Sequence, residues 1–245
     1  MLPEWGITKL YKKALFFGVY HIGDYIRVFV HRGPKTIFWC GGDIVNLYES
    51  GFSINKIQRL FKGVKHVCEN EAEQEVLFSR FRIVAKVHPM FFGQPDDYKI
   101  SFKSNKEPHV FMCSRTNREI EYGLNHVFFA AKNLPHITFH IYGAQQSFMF
   151  KNLIYHGEVS EKQFDEEIKN YQCGLRLNLM DGFSEVTAKS ILMGQYPITI
   201  IPYSGIDRAE NPSHLLKLLD GLKLKREPNY KGRDLWLKKL TDINI

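Results

Sequence analysis

The residues best placed to do chemistry are Asp181-Gly182-Phe183-Ser184. They follow a run of apolar and small residues, Cys173 to Leu179, and precede a helical stretch from Glu185 to Met193. The apolar run Pro197 to Ile201 closes the segment, which therefore reads as strand, loop, helix, strand. A Gly and a small polar residue at the mouth of a helix leave backbone N–H groups unpaired where the helix dipole adds partial positive charge. Such an opening suits a phosphate, although an ordinary tight turn has the same composition. Gly194 and Pro197 supply the stop signals. Glu185 and Lys189 are spaced i, i+4, so the two side chains share a helix face and could pair.

The elements that must position this loop alternate along the whole chain. Ala14 to Tyr20, Lys35 to Cys40, Val64 to Cys68 and Ile83 to Val87 are short apolar runs with the lengths of buried strands. Between them Ile22, Ile26, Phe29 and Val30 recur at helical spacing, Ser53 precedes a helix carrying Ile54, Ile57 and Leu60, and Asn70 precedes a helix from Glu71 to Arg80. Phe92 to Lys106 is polar and reads as a linker. A second series follows, with strands at His109 to Cys113, Ile137 to Tyr142, Asn152 to Tyr155 and Cys173 to Leu179. Its helices run from about Glu119 to Lys132 and onward from Ser160. Strands alternating with helices imply right-handed crossovers and parallel sheets, with ligands beyond the carboxyl ends of the strands. His21, Asp24, Gly41, Gly42 and Asp43 are expected there in the first series; in the second, one strand leads to Ser114 to Arg118 and another ends at His156 to Val159.

Composition bounds what this architecture can do. The chain has 245 residues, 44% of them hydrophobic, enough for one large core or two small ones. No run of eighteen apolar residues occurs, and the opening MLPEWGITKLYKK lacks the apolar centre of a signal peptide, so a cytoplasmic protein is expected. Cys40, Cys68, Cys113 and Cys173 form no C-x-x-C pair and read as free thiols rather than zinc ligands or disulfides. The formal charge of +7 favours anionic partners. Lys9, Lys12 and Lys13 near the start, and Lys223, Lys225 and Arg226 near the end, supply part of it and permit peripheral contact with an anionic membrane. A nucleic-acid partner rests on charge alone, because no zinc-finger, homeodomain or RNP-type motif accompanies it.

Asp181 to Ile198 resembles the donor-site signature of GT-B glycosyltransferases of the retaining, family-four type, roughly E-G-F-G-x-x-x-x-E-A-x-x-x-G-x-P-V-I. Asp181 takes the place of the first Glu, Gly182 and Phe183 match, Ser184 takes the second Gly, and Gly194 falls in step. Lys189 stands where the second Glu, which holds the nucleotide ribose in that family, is expected. Arg115 fits the Arg of the family's G-R-x-x-x-x-K-G segment, with Arg118 nearby as a substitute for its Lys. Gly157-Glu158-Val159-Ser160 matches G-x-V/F-S, which contacts the base. Cys40-Gly41-Gly42-Asp43 resembles H-G-x-D of the acceptor domain, whose early strands have no counterpart in this chain.

The resemblance implies an α/β protein of two Rossmann-like parallel-sheet lobes. Residues 1–92 would form a shortened acceptor-side lobe, 93–107 a linker, 108–222 the nucleotide-sugar lobe, and 223–245 a basic tail whose helix crosses back to the first lobe. It implies sugar transfer without a metal, a nucleotide-sugar as substrate rather than any cofactor, and an unknown glycan, lipid or protein acceptor. Donor contacts would come from Arg115, Arg118, Gly157, Glu158, Val159, Asp181, Gly182, Phe183, Ser184, Glu185 and Lys189. His21, Asp24 and Asp43 would serve acceptor contact or proton transfer. The alternative is a non-catalytic nucleotide- or anion-binding protein of the same fold, suggested by Lys189 and Cys40.

Overall fold

The computed structural model describes residues 12–146, 149–178 and 181–241. Lys9 and the end of the expected strand at Leu179 lie outside the described residues. The chain divides into two compact units, Met1–Met90 with Met180–Gly182, and Phe91–Leu179 with Phe183–Ile245.

The first unit holds β1 (Ala14–Phe17), α1 (Ile22–Val30), β2 (Lys35–Phe38), α2 (Gly42–Glu49), α3 (Ile54–Leu60), β3 (Val64–Cys68), α4 (Glu71–Phe81) and β4 (Lys86–Val87). Its strands are parallel and lie in chain order, β1-β2-β3-β4, with Phe16 beside Ile37 and Ile37 beside His66. Ile37, Trp39, Ile44, Leu47, Ile57 and Leu77 form its buried centre. The caps are those the sequence advertises: Ser53 Oγ accepts from Lys56 N at 3.4 Å and Asn70 Oδ1 from Glu73 N at 2.9 Å. Helix α2 was not expected, because its N-cap is Gly41 at φ +84°, a position with no capping side chain. The run Ile83 to Val87 pairs only over its last two residues, although Ile83 and Ala85 are buried.

The second unit holds β5 (His109–Cys113), α5 (Leu124–Asn133), β6 (Thr138–Tyr142), β7 (Leu153–Gly157), α6 (Glu161–Ile168), β8 (Cys173–Arg176), α7 (Glu185–Leu192), β9 (Ile198–Thr199), β10 (Asp207–Arg208), α8 (Pro212–Gly221) and α9 (Tyr230–Thr241). All its strand pairs are parallel, in the order β10-β9-β8-β5-β6-β7. From β5 the chain winds one way through β6 and β7, then returns to place β8 on the other side of β5. This is the doubly wound Rossmann order, with its reversal between β5 and β8. Val110, Leu124, Val127, Ile141, Leu175, Ile198 and Leu219 build the core. The segment expected to be a linker packs instead against this unit. Ser101 and Phe102 donate their N–H groups to the Met193 carbonyl at 3.0 and 3.3 Å, and Phe102 is buried. Helix α9 packs against α7. Among the described residues, no helix is long and apolar enough to cross a membrane.

Candidate functional site

A sheet that reverses direction opens a crevice at the carboxyl ends of the strands flanking the reversal, because the two following connections leave on opposite faces. Strand β5 ends at Cys113 and delivers Ser114, whose N–H donates to the Tyr142 carbonyl at 2.8 Å. Strand β6 delivers Gly143 at φ +76°, where a Cβ would meet the Ser114 carbonyl oxygen. Only glycine allows that approach. Strand β7 ends at Gly157, which accepts from Gly143 N at 2.7 Å. These turns, with Glu158, Val159, Glu161 and Phe164, line a cavity of about 390 Å³. That volume lies within the range of small-molecule sites.

Three buried polar atoms near the reversal lack hydrogen-bond partners among the described residues: Ser114 Oγ after β5, Asn178 Oδ1 after β8, and Thr187 Oγ1 in the first turn of α7. Native interiors leave few such atoms, since each forfeits its hydration without a replacement. Of the three, Ser114 also lines the cavity, which puts its hydroxyl where a polar ligand could complete its bonding. Sequence reasoning picked out none of the three, although Ser114 and Gly143 sit at strand exits where a search for them would begin.

The loop read from the sequence divides between the units. Asp181 and Gly182 belong to the first, where Asn70 Nδ2 donates to the Asp181 carbonyl at 2.9 Å and a Cβ on Gly182 would overlap Glu69 Oε2. Phe183 and Ser184 belong to the second. Phe183 is buried and stacks on Trp236 at 4.1 Å between centroids, so its ring serves the core. Ser184 Oγ accepts from Val186 N at 3.2 Å, capping α7.

Lys189 corrects one expectation, that it pairs with Glu185. Its side chain is buried, and Nζ sits 2.8 Å from Asp165 Oδ1 and 3.2 Å from Glu161 Oε1. Burial pulls its pKa down, but hydrogen bonds to the two carboxylates outweigh that and hold the ammonium charged. Through Glu161 it braces a wall of the cavity. Glu185 instead accepts from Phe92 N at 3.0 Å, and burial raises its pKa against that bond and the Lys189 charge.

Of the two arginines, Arg115 is exposed and forms no ion pair among the described residues. Arg118 donates through Nε to Glu121 Oε2 at 2.8 Å, so its charge is already balanced. Gly157, Glu158 and Val159 are brought to the cavity, with Glu158 exposed at its rim. Behind it, Tyr142 links the cavity to a polar chain. Its hydroxyl donates to Glu167 at 2.6 Å and lies 2.9 Å from Tyr171 Oη, while His109, His140 and His156 are joined in series at 2.9 Å each. Burial, then repulsion from its two histidine neighbours, brings His140 down to about 3, so it stays neutral.

In the first unit the nominated carboxylates are occupied by backbone. Asp43 is fully buried, accepting from Cys40 N and Ile44 N at 3.0 Å and from Val19 N at 3.3 Å. Burial raises it to about 6 against those bonds. Asp24 accepts from Tyr20 N and His21 N at 3.1 Å and faces Arg27. Both therefore fasten strand-end loops, and of the three nominated groups His21 alone is exposed. Cys40 is no base either, since burial and then Asp43, Glu69 and Glu73 push its thiol up to about 12.

No family model matches the sequence, and no curated protein matches it. Solved structures do. The pneumococcal O-GlcNAc transferase GtfA, in complex with UDP and GlcNAc, is 15% identical with a TM-score of 0.60, covering 93% of this chain and 54% of its own. TarM is 15% identical with a TM-score of 0.64, covering 95% and 54%. The UDP-forming α,α-trehalose-phosphate synthase of Burkholderia xenovorans is 8% identical with a TM-score of 0.68, covering 94% and 71%. The chain thus spans about half the length of GtfA and TarM. With two parallel-strand sheets flanked by helices, it has the fold of the GT-B glycosyltransferases.

Proposed function

We propose that the protein transfers a sugar from a nucleotide-sugar donor, bound by the second unit at the β5–β8 reversal, to an acceptor of undetermined class. The observation that carries this reading is the unpartnered Ser114 Oγ in the lining of a 390 Å³ cavity at the carboxyl end of β5, the strand at which the Rossmann sheet reverses. The base would enter the cavity against Gly157, Glu158 and Val159. The diphosphate would face the capped N-terminus of α7 and the uncompensated Arg115, whose fixed charge can offset that developing on a departing diphosphate without a metal. His21 remains the first-unit group open to an acceptor. The likeness to the O-GlcNAc transferase GtfA supports the enzyme over the non-catalytic alternative. The test is calorimetry with a panel of nucleoside diphosphates, UDP included, followed by donor-hydrolysis assays. Binding weakened by ~1.5–3 kcal/mol in Arg115→Ala is expected for loss of a charged hydrogen bond. Unchanged affinity would remove Arg115 from the site, and no binding by any diphosphate would defeat the reading.

A further inference from the structure

Helix α1 is apolar on both faces. Tyr25 and Val28 fill its buried side, while Ile22, Ile26 and Phe29, at i, i+4 and i+7, are 66%, 55% and 53% exposed. The periodicity that identifies the helix in the sequence is thus its outward stripe. A contiguous apolar stripe on a surface marks a place where something apolar is bound. The stripe forms one wall of a groove of about 350 Å³, and Phe52 with Lys56, Arg59 and Leu60 of α3 forms the other. Lys56 Nζ lies 4.0 Å from the centre of the Phe52 ring, holding a positive charge directly over the apolar lining. The lining contains two cations and no acid. Asp24, the acidic residue of α1, is already held by Arg27 and two backbone N–H groups.

We infer that this groove seats the protein on an anionic phospholipid surface, the stripe of Ile22, Ile26 and Phe29 entering among acyl chains and Lys56 and Arg59 meeting the headgroup phosphates. An apolar helix face bordered by Lys and Arg is the pattern of helices that lie in the membrane interface. Charge decides against the other apolar occupant, a second copy of this chain, which would set the same cations against one another. The formal charge of +7 adds long-range attraction to an anionic surface.

The experiment is co-sedimentation of the full chain with phosphatidylglycerol/phosphatidylcholine vesicles and with phosphatidylcholine alone. Binding to the first and not the second is expected. Ile26→Glu with Phe29→Glu should reduce binding to background. Lys56→Gln with Arg59→Gln should weaken it by ~25-fold, about five-fold for each charge near the surface. All four positions belong to the first unit and none lines the donor cavity of the second, so diphosphate affinity should not change and donor binding can fail or hold independently. Melting curves confirm folding, and Ile26→Ser with Phe29→Ser replaces the Glu pair if that variant does not fold. Equal binding to neutral vesicles, no vesicle binding, or binding unaffected by the Ile26 and Phe29 changes would overturn the inference. So would a vesicle-free dimer that those changes dissociate.

Discussion

The two sheets are both parallel and both flanked by helices, yet they treat the polar groups at their strand ends differently. The four-stranded sheet runs in chain order without a reversal, and Asp24 and Asp43 at its strand ends are saturated by backbone N–H groups of their own loops. The six-stranded sheet reverses between β5 and β8, and polar atoms beside that reversal are left without partners. The first unit has buried atoms without partners of its own among the described residues, at Tyr25, His31 and Glu73, but the carboxylates that follow β1 and β2 are held by their own loops. A doubly wound sheet separates neighbouring connections, and the groups in the crevice between them must wait for a ligand. Candidates chosen only by residue type and strand-end position therefore need different readings in the two units.

Lys189→Glu attacks the second unit where its bracing is most charged and should have the largest effect. The change replaces a buried ammonium by a third carboxylate beside Asp165 and Glu161. Removing one partner of a buried pair costs about 3–5 kcal/mol, and like charge adds to that. Glu161 is largely exposed and will turn to water, so most of the loss falls on Asp165. Chemical denaturation should show a destabilisation of at least ~3 kcal/mol. A stable Lys189→Glu protein with improved donor affinity would instead support a direct ribose role for this position.

Glu73 offers the corresponding test in the first unit. It is buried, with Oε2 accepting from Glu69 N at 2.8 Å and Oε1 unpartnered among the described residues. Burial raises its pKa to about 9, against the Glu69 N–H bond, with Glu69, Asp43 and Asp181 adding to the rise. The folded protein keeps this proton while the unfolded chain releases it near pH 4.5. The group's contribution is therefore full below pH 4.5 and declines as pH rises toward 9, by an amount on the order of several kcal/mol. Glu73→Gln keeps an oxygen acceptor for Glu69 and abolishes the titration. It should match the wild type at pH 4 and exceed it increasingly up to pH 9 in urea melts. A pH-independent difference would contradict a neutral Glu73.

His140 works with the opposite sign. Its folded pKa of about 3 lies below the ordinary 6.5, so the unfolded chain takes up a proton first and stability is lost as pH falls from about 6.5 toward 3. His140→Gln should flatten that loss by an amount on the order of several kcal/mol, less any cost of breaking the chain to His109 and His156. The same acid limb in wild type and variant would assign it to other groups.

Much of this architecture is legible in the chain because its signals are local. Caps at Ser53, Asn70 and Ser160, the stop at Gly194, and short apolar runs locate most helices and strands of both units. Helix α8 carried the same signals, Asn211 as cap and Pro212 in its first turn, and could have been read. The short β10 carries no apolar run, since Asp207 and Arg208 are both exposed. Of the nominated donor residues, Gly157, Glu158 and Val159 line the cavity of the second unit, and they were reached through the family resemblance rather than any local signal. Lys189 misled because helical position says nothing of Asp165 and Glu161, which reach it from α6. Ser114, Asn178 and Thr187 were silent for a related reason: whether a hydroxyl or amide is satisfied depends on neighbours brought by the fold, and nothing local distinguishes an orphan from a cap.

The smallest predicted change separates a waiting ligand atom from a packing accident. Ser114 Oγ is buried and unpartnered among the described residues, and an unsatisfied hydroxyl of this kind costs ~1–3 kcal/mol. Ser114→Ala removes the orphan and leaves a space no larger than one oxygen. The ligand-free protein should therefore be unchanged or more stable by up to ~1 kcal/mol, whereas loss of a satisfied hydrogen bond would destabilise it. If the hydroxyl completes its bonding on a donor nucleotide, the same change should weaken diphosphate binding by ~0.5–1.5 kcal/mol. The two measurements move in opposite directions only if the site is built for a ligand. A Ser114→Ala protein that melts lower and binds diphosphates normally would make Ser114 a structural residue, and with it the β5–β8 reversal would lose its strongest mark as the donor site.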